Sequence, residues 1–277
     1  MPAAGQASDA AAVRPLRIAV NGAGGRMGRA LCTLLAEDRR FVLAHAVLAA
    51  GAAQVGSAVY AGATAPLFSA GWGDAPTLDV VVDFSSAQGL RGALAHCLQT
   101  GAALVTGTTG CDAALQAQMD AASARIALLH AANFSLGVAV LTRLVREAAA
   151  ALPGWDAEIV EVHHAAKRDA PSGTALALGQ VVAQSREAAA SPTTSLQRSG
   201  ARVAGSIGYA VVRGGDIVGE HTVMLIGQGE RLELTHRASD RSVFARGALH
   251  AAYWLGGRDA GAWSLDDVLA APCAPTL

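Results

Sequence analysis

The sequence predicts an α/β protein in which a doubly wound parallel sheet is followed by an α+β unit with a mixed, largely antiparallel sheet. From residue 16 to residue 134, apolar runs alternate with helical patterns, the order expected of parallel strands with helices on both faces. After Pro153, strand-like runs follow one another across Gly-containing turns, which is typical of antiparallel strands. Hydrophobic residues make up 52% of the 277 residues, so the chain can bury a large core and disorder throughout is excluded.

The first part of the chain is built from short apolar runs and amphipathic segments. Leu78–Phe84 is continuously apolar, as expected for a strand buried on both faces, and Gly101 ends the helix that follows it. The predicted elements are strands at Leu16–Asn21, Phe41–Leu48, Leu78–Phe84, Ala103–Thr106 and Ile126–His130, and helices at Arg26–Glu37, Ala87–Thr100 and Asp112–Ala124. A long helix over Ser135–Ala151 then carries Leu141, Leu144 and Val145 on one side.

The second part has a different pattern. Ala157–His163 alternates like a half-buried strand, Thr174–Ala190 is helical and Ser191–Ala204 is a polar loop. The runs Ile207–Val212, Asp216–Ile226 and Arg231–Arg237 predict an antiparallel meander, and Val243–Leu255 returns to helix. These patterns divide the chain into a disordered tail (1–15), a first domain (16–134), and a second domain (135–242), with 243–277 packing back on the first domain.

Composition excludes several classes of partner. Lys plus Arg total 21 against 22 for Asp plus Glu, so no basic excess is available for nucleic acid. The uncharged stretch from Phe41 to Gly73 is interrupted by Gly and Pro, and it does not predict a membrane span. Residues 1–15 lack the apolar core of a signal peptide. The four cysteines predict reduced thiols in a cytoplasmic protein and no metal site, since none has metal-ligand spacing: Cys32, Cys97, Cys111 and Cys273.

A Gly-rich turn joins the first strand to the first helix. Its residues are Gly22, Ala23, Gly24, Gly25, Arg26 and Met27, and the glycines at 22, 25 and 28 fit a GxxGxxG spacing. Such glycines let the backbone approach a pyrophosphate, whose charge then lies at the helix N-terminus. A tight turn without a ligand is the alternative, but the alternating strands and helices around it favour a Rossmann dinucleotide-binding domain.

Two further turns follow later strands of the same predicted sheet. Gly107, Thr108 and Thr109 belong to the first of them, and the run Ala131, Ala132, Asn133 and Phe134 forms the second. Each taken alone could be a turn with a helix cap. Because ligands of such sheets bind outside the carboxyl ends of the strands, the three turns together predict one cofactor crevice.

The carboxylate that binds the adenine ribose of NAD is expected about 20 residues after the Gly-rich turn. That position falls at Leu48, and no Asp or Glu occurs from Phe41 to Gly73. No Arg follows Leu48 to bind the 2′-phosphate of NADP either, since Arg39 and Arg40 lie at the start of the strand. The sequence therefore leaves the choice between NADH and NADPH open and predicts weak discrimination.

The segment from Glu161 to Ala175 holds the richest chemistry. Adjacent His163 and His164 end a strand, Lys167 follows within one loop, and Ser172, Gly173 and Thr174 open a helix. Imidazoles, a cation and free helix amides together predict a site for an anionic substrate, whereas a basic surface loop with a capping serine is the alternative. Metal binding by the histidine pair is disfavoured because no third ligand has matching spacing. Two later segments, Arg213–Thr222 and His236–Ala238, remain ambiguous between site and hairpin.

Together these motifs resemble the 4-hydroxy-tetrahydrodipicolinate reductase family, also called dihydrodipicolinate reductase. The resemblance runs from about Leu16 to Leu269 and rests on GAGGRMG, DFS, GTTG, AANFSLGV, EVHHAAKRDAPSGTA and VRGGDIVGEHT. It implies a Rossmann domain, an α+β substrate and tetramerisation domain, and a homotetramer. It also implies reduction of the small dicarboxylate (2S,4S)-4-hydroxy-2,3,4,5-tetrahydrodipicolinate by NADH or NADPH, with loss of water, in lysine and diaminopimelate synthesis.

The resemblance also implies roles for single residues. His163 would be a proton donor or acceptor and Lys167 a proton donor, while His164, Lys167, Gly173 and Thr174 would hold the substrate carboxylates. The three turns would contact the cofactor.

Two other classes of function are the alternatives. A nucleotide-binding module that senses redox state without turnover would need neither His163 nor Lys167. Another two-domain dehydrogenase could act on a sugar or a semialdehyde, but a semialdehyde dehydrogenase would need a nucleophilic cysteine, and Cys97 and Cys111 lie in the wrong domain for that.

Overall fold

The computed structural model describes residues 14–62, 65–186 and 200–270. Within them it contains two β-sheets and seven helices. The strands are β1 (Leu16–Asn21), β2 (Phe41–Val47), β3 (Phe68–Ser69), β4 (Val80–Asp83), β5 (Ala103–Thr106), β6 (Ala127–His130), β7 (Asp156–His163), β8 (Ile207–Arg213), β9 (Gly219–Ile226), β10 (Arg231–Ala238) and β11 (Gly261–Trp263). The helices are α1 (Arg26–Leu35), α2 (Ala87–Thr100), α3 (Ala113–Ala122), α4 (Leu136–Ala151), α5 (Gly173–Ser185), α6 (Ser242–Leu255) and α7 (Leu265–Ala270).

The larger sheet has the order β11-β6-β5-β4-β1-β2-β3, and all its strand pairs are parallel. The chain runs from β1 outwards to β2 and β3 and then returns to β4 on the other side of β1. The order of strands therefore reverses between β1 and β4, which is where doubly wound folds bind their ligands. This arrangement confirms the predicted fold class.

Two layers of helices bury this sheet. On α1 the buried residues Gly28, Leu31, Cys32 and Leu35 recur at helical spacing and face the sheet. Helix α6 packs against β4, β5 and β6 and against α1, and β11 adds a strand beside β6. On the opposite face, α2 and α3 cover the apolar core that includes Leu90 and Leu115.

The smaller sheet has the order β10-β9-β7-β8 and corrects one prediction. The strands β8, β9 and β10 do not form an antiparallel meander, because β7 lies between β8 and β9. Strand β8 pairs with β7 in parallel, and α5 forms the crossover between them. The Gly-containing turn predicted a hairpin between β8 and β9. The crossover through α5 instead puts β8 beside β7, on the side opposite β9, so β8 and β9 do not pair.

Other differences are local. Leu144 is 46% exposed and does not join Leu141 and Val145 in the core. The short elements β3, β11 and α7 were not predicted, because two to six residues carry too little periodicity. Helix α5 ends at Ser185, and the predictions for residues 187–199, for most of the tail and for Cys273 lie outside the described residues. At the end of the tail, both outer nitrogens of the Arg14 guanidinium donate to the Asp79 carboxylate at 2.7 Å.

Candidate active site

A buried carboxylate connects the carboxyl ends of three central strands. Asp83 ends β4 and is fully buried. Its oxygens accept hydrogen bonds from Asn21 Nδ2 at 2.7 Å, Thr106 Oγ1 at 2.7 Å and Thr108 Oγ1 at 2.6 Å. Ser85 Oγ is a fourth donor to the same carboxylate. The turns that follow β1, β4 and β5 are therefore fixed relative to one another.

The Gly-rich turn after β1 is tightly folded against its surroundings. A Cβ atom at Gly22 would lie 2.5 Å from the Phe84 carbonyl oxygen, and one at Gly28 would lie 2.2 Å from the Gly22 carbonyl oxygen. Only glycine fits at these two positions. The same close packing brings the start of α1 to the strand-reversal point described above.

Helix α1 also begins without a side-chain cap. The helices α2 to α5 each start at a residue whose side chain accepts a first-turn amide: Ser86, Asp112, Ser135 and Ser172. The residue before α1 is Gly25, which has no side chain to do so. The first-turn amides of α1 therefore remain able to bind an anion, and the chain fits the pyrophosphate of a dinucleotide.

A cavity of about 670 Å³ lies beside this turn, at the carboxyl ends of β1 and β2. We call it the edge cavity. Its wall includes Gly22, Gly24 and Gly25 on one side and Leu48 and Trp72 on the other. Arg29 of α1 also lines it, so a cation does lie near Leu48, contrary to the sequence expectation. That Arg directly follows Gly28, the last glycine of the GxxGxxG motif, and lies on α1 and not at the strand end.

A second cavity, of about 500 Å³, lies between the two sheets, and we call it the inter-sheet cavity. The larger sheet and its helices contribute cofactor-site residues predicted from the sequence: Arg26, Met27, Gly107, Thr109, Ala132, Asn133 and Phe134. The other side of the cavity contributes predicted substrate-site residues: His163, His164, Lys167 and Thr174. The structure thus brings together two sets of residues that are separated in sequence.

The inter-sheet cavity is strongly basic. Among the described residues, those that line it include three cations, Arg26, Lys167 and Arg241, and no carboxylate. Four histidines line it as well: His163, His164, His221 and His236. A ligand bound among these groups is expected to be anionic.

His163 is held by a buried carboxylate on its own strand. Alternate residues of β7 face the helices α4 and α5, so Glu161 and His163 both point inward. His163 Nδ1 lies 2.5 Å from Glu161 Oε2. A carboxylate can only accept this bond unless it is protonated, so Nδ1 carries the hydrogen. The free Nε2 lies above Gly219, where a Cβ atom would be 2.9 Å away.

Glu161 has further donors. Arg213 NH1 and NH2 donate to its two oxygens at 2.8 and 2.7 Å, and the Ser172 amide donates at 3.0 Å. Burial raises the pKa of Glu161, but these hydrogen bonds outweigh burial and hold its pKa below the usual range. Glu161 is therefore ionised at neutral pH.

Burial also acts on the two histidines beside it. It lowers the pKa of His163, and Glu161 partly opposes this shift. It lowers the pKa of His221 to about 4, so this ring is neutral at pH 7. The two rings meet edge to face with centroids 5.1 Å apart, and His221 Nε2 bonds to Ser172 Oγ at 3.0 Å.

Lys167 is the one lysine of the chain, since every other residue in the Lys plus Arg total is Arg. Its Nζ lies 2.8 Å from an Asp169 carboxylate oxygen in the same loop. Asp169 is well exposed, so this ion pair is close to solvent and weak. A carboxylate ligand can therefore compete with Asp169 for Lys167 at little cost.

Several predicted site residues lie outside the two cavity walls. Ser172 is buried, and both its amide and its hydroxyl are used by neighbouring groups. Ala23 and Thr108 are buried too, and the Thr108 hydroxyl donates to Asp83. Gly173 and Ala131 do not line either cavity but adjoin residues that do.

Some lining residues were missed by sequence reasoning. Arg241 immediately precedes α6 and has no side-chain capping bond of its own. The sequence feature that could have identified it is an Arg at the start of a helix, where a cation interacts unfavourably with the helix dipole. His221 and His236 lie in the two segments for which the sequence did not distinguish a site from a hairpin. The sequence also contained a further signal, which is that Lys167 is its only lysine.

Comparison with known proteins decides the family. The dihydrodipicolinate reductase N-terminus model matches residues 16–134 and the C-terminus model matches residues 137–269. The chain belongs to the dihydrodipicolinate reductase family. Relatives named 4-hydroxy-tetrahydrodipicolinate reductase include those of Xanthomonas euvesicatoria pv. vesicatoria, 49% identical over 255 residues, and Stenotrophomonas maltophilia K279a, 49% identical over 259 residues. Each alignment covers 92% of this chain and 98% of the relative.

Solved structures show the same fold. A dipicolinate-bound dihydrodipicolinate reductase from Paenisporosarcina sp. TG-14 has a TM-score of 0.75 at 24% identity, covering 90% of this chain and 97% of that one. A myo-inositol dehydrogenase from Corynebacterium glutamicum has a TM-score of 0.59 at 14% identity, covering 92% of each chain. These structures confirm the predicted fold, and the family models and curated relatives confirm the predicted family.

As a member of this family, the protein is an oxidoreductase that uses NADH or NADPH. It reduces 4-hydroxy-tetrahydrodipicolinate to tetrahydrodipicolinate with loss of water, a step of lysine and diaminopimelate synthesis. Among the described residues, no helix is long and apolar enough to cross a membrane. In the same part of the chain, no group of three His, Cys, Asp or Glu side chains is placed to hold a metal ion.

Proposed function

We propose that this reduction takes place in the inter-sheet cavity, with His163 and Lys167 handling protons. The observation that supports this most is the basic lining contributed from both sheets, with no carboxylate among the lining residues. The substrate is a dicarboxylate, so its two negative charges match this lining. Overall, hydride from NAD(P)H and one proton are added, and one water leaves.

The cofactor would lie across the carboxyl end of the larger sheet. The uncapped start of α1 would bind its pyrophosphate, with the edge cavity holding the adenosine half. The turns containing Gly107 and Asn133 would then border the nicotinamide half, at the junction with the inter-sheet cavity. When bound, the cofactor supplies the hydride.

The substrate carboxylates would be held by His164, Lys167 and the start of α5. Thr174 lines the cavity, and its hydroxyl accepts a hydrogen bond from Asn133 Nδ2 at 3.1 Å. Thr174 therefore links the proposed substrate site to a proposed cofactor turn. Ser172 would act indirectly, by capping α5, and Gly173 through its backbone amide. The dipicolinate held by the related Paenisporosarcina enzyme is itself a dicarboxylate, which supports this assignment.

His163 would move a proton through Nε2, because Nδ1 is bonded to Glu161. The neighbouring Lys167 would donate a proton or stabilise negative charge as it develops. Both side chains reach the same cavity, so either can serve the carbon or nitrogen next to the reduced position.

His163→Gln tests the proton role. The variant should lower kcat by roughly a hundredfold or more, the usual scale for general acid–base catalysis, with KM changed little. Calorimetric binding of NADPH should be unchanged, since His163 lies on the smaller sheet. His250→Gln is the matched control, because His250 lines neither cavity, and it should keep the wild-type kcat. An unchanged kcat in His163→Gln would remove this histidine from the mechanism.

Lys167 can be tested with two variants. Lys167→Ala should raise KM and lower kcat, because it removes binding present in both the ground and transition states. Lys167→Arg keeps the charge but cannot release a proton near neutral pH, so its KM should be closer to wild type while kcat stays low. Full activity in Lys167→Arg would limit Lys167 to charge binding.

We also infer a cytoplasmic homotetramer assembled through the smaller sheet. Helices α4 and α5 cover the face that carries Ile159 and Val223. The opposite face presents apolar side chains such as Val212, which is 48% exposed. An uncovered apolar sheet face supports an interface between copies. The described cysteines, Cys32, Cys97 and Cys111, are all free, as expected in a reducing compartment.

Light scattering measures this assembly. Wild type should have about four times the 27.9 kDa mass of one chain. Val212→Glu should dissociate the assembly, whereas Leu144→Glu, with similar exposure on α4, should not. A wild-type monomer at micromolar concentration would contradict the proposal.

A further inference from the structure

We propose that Glu161 is a positioning residue that holds His163 with its free Nε2 toward the inter-sheet cavity. The proposal rests on the proton role of His163 proposed above and adds a buried group behind it. Glu161 does not line the cavity and so does not reach the substrate. It acts through the ring of His163.

The geometry that carries this proposal is a closed set of hydrogen bonds around one carboxylate. Glu161 Oε2 accepts from His163 Nδ1 at 2.5 Å and from Arg213 NH1 at 2.8 Å, and Oε1 accepts from Arg213 NH2 at 2.7 Å and the Ser172 amide at 3.0 Å. Four donors therefore surround a fully buried carboxylate. Because these four groups, from His163, Arg213 and Ser172, all donate, the group at position 161 must accept at both oxygens.

A carboxylate satisfies this requirement, and an amide does not. With Gln at position 161, the NH2 group would face Arg213 NH2 and the Ser172 amide in one orientation, and Arg213 NH1 and His163 Nδ1 in the other, so donors would oppose each other in both. In the second orientation, His163 can avoid its own unfavourable contact by moving its hydrogen to Nε2 and accepting at Nδ1. The ring would then present a hydrogen to the cavity at neutral pH and lose its acceptor there.

Glu161 also sets the charge around the ring. Among the described residues, the charged and titratable groups facing His163 are Glu161 on β7, Lys167 from the next loop, Arg213 on β8 and His221 on β9. Glu161 is the one anion among them, and it raises the pKa of His163 against burial and the two cations. Without it, His163 would be protonated only at lower pH, and the limb of the kcat/KM profile that reports the titration of His163 would move to lower pH.

The first experiment observes the wild-type enzyme at rest. Nitrogen-15 NMR of histidine-labelled protein, with His163→Gln used to assign the resonances, should show hydrogen on Nδ1 and none on Nε2 at pH 7.5. Hydrogen on Nε2 would overturn the proposal. This readout does not depend on whether His163 takes part in catalysis.

The second experiment uses Glu161→Gln. We expect kcat to fall by about a hundredfold, with KM and NADPH affinity near wild type, a shifted pH profile and the hydrogen of His163 moved to Nε2. Glu161→Asp, which keeps the carboxylate, should recover part of kcat. A purely structural role would lower folding yield without moving the pH profile or the tautomer, and that result would overturn the proposal.

The two proposals can fail separately. If His163→Gln keeps the wild-type kcat, the proton role is wrong, while the tautomer measurement still decides the positioning by Glu161. If Glu161→Gln does not fold, the wild-type tautomer together with the pH profile of Glu161→Asp decides it: an Nδ1 hydrogen and a displaced profile support the proposal, and an Nε2 hydrogen contradicts it.

Discussion

Leu48 and Arg29 illustrate how single residues on one cavity wall bear on cofactor choice. Leu48 lies at the end of β2, where a ribose-binding carboxylate is expected, and Arg29 reaches the same edge cavity from α1. The sequence showed the missing acid, because that inference depends only on spacing. It could not show Arg29, because the side chains of a helix and a strand end meet only once the fold is known.

Leu48→Glu should shift preference toward NADH. A carboxylate there accepts hydrogen bonds from the ribose hydroxyls and repels the 2′-phosphate of NADPH. The ratio of kcat/KM for the two cofactors, together with their calorimetric affinities, measures this shift. Leu48→Gln is the control with similar size and no charge, and its shift should be smaller.

Wild type itself should discriminate weakly between the two cofactors. If it already prefers NADH by about a hundredfold, roughly 2.7 kcal/mol, then another group binds the ribose and the interpretation of Leu48 is wrong. Arg29 is the one cation on that wall among the described residues, and Arg29→Gln measures its contribution. This variant should affect NADPH more than NADH.

Among single residues, those between His163 and Thr174 were the most predictable part of the candidate site. His163, His164, Lys167 and Thr174 all line the inter-sheet cavity, because they follow one strand and open the next helix. Ser172 is placed behind the wall instead. Its capping role was visible in the sequence, but its burial depends on β9, which brings His221 against its hydroxyl from a distant part of the chain.

At the level of elements, predictions succeeded where a pattern is local. Helix α2 spans the predicted Ala87–Thr100 and ends at Gly101, which adopts the left-handed conformation with φ of 80°. Strand β8 shows the limit. Its apolar run was recognised, but its neighbour was not, because pairing depends on the crossover through α5 and not on the turns beside the strand.

Among the elements, the Asp83 carboxylate links the ends of β1, β4 and β5 through its hydrogen bonds. Asp83→Asn should weaken this link. An amide replaces one accepting oxygen with a donor, which opposes the donors already in place. We expect the free energy of unfolding to fall by about 2 kcal/mol, the scale of a hydrogen bond to a charged group, and NADPH affinity to fall with it. Urea denaturation and calorimetry measure the two effects.

Asp79→Asn is the matched control for Asp83→Asn. Asp79 immediately precedes the same strand, but its side chain is 18% exposed and pairs with the exposed Arg14. Its loss should cost about 1 kcal/mol or less. If the two variants were equally stable and bound NADPH equally well, Asp83 would not be the link proposed here.

For the whole molecule, the fold class could be predicted from the alternation of strands and helices and from composition. The packing of the two sheets around one cavity could not. The inter-sheet cavity joins residues such as Arg26 and His163, which are far apart in sequence. Their separate motifs indicated a cofactor turn and an anion site. Only the resemblance to a family indicated that both belong to one reaction, because no periodicity in the chain encodes how two sheets are arranged.

Burial of histidines gives the whole molecule a pH-dependent stability. Of the 8 histidines in the chain, five have a pKa lowered mainly by burial: His96, His163, His221, His236 and His250. Their usual value is 6.5, so below that pH the unfolded chain binds more protons than the folded one. The free energy of unfolding should therefore fall as the pH is lowered from about 7 to about 5.

Denaturation curves measured across this range, at one protein concentration, test the last prediction. Glu161 acts at lower pH: its lowered pKa stabilises the fold above the usual range of a Glu, and this contribution is lost as the pH falls through the folded-state pKa. His96→Phe should make the free energy of unfolding depend less steeply on pH between pH 7 and pH 5. His96 is chosen because it stacks on Trp72 outside the inter-sheet cavity, and because its buried Nε2 has no partner within the described residues. A ring without nitrogen keeps the stacking and removes the proton-binding group. Stability that stays constant or rises on acidification would contradict this account of the buried histidines.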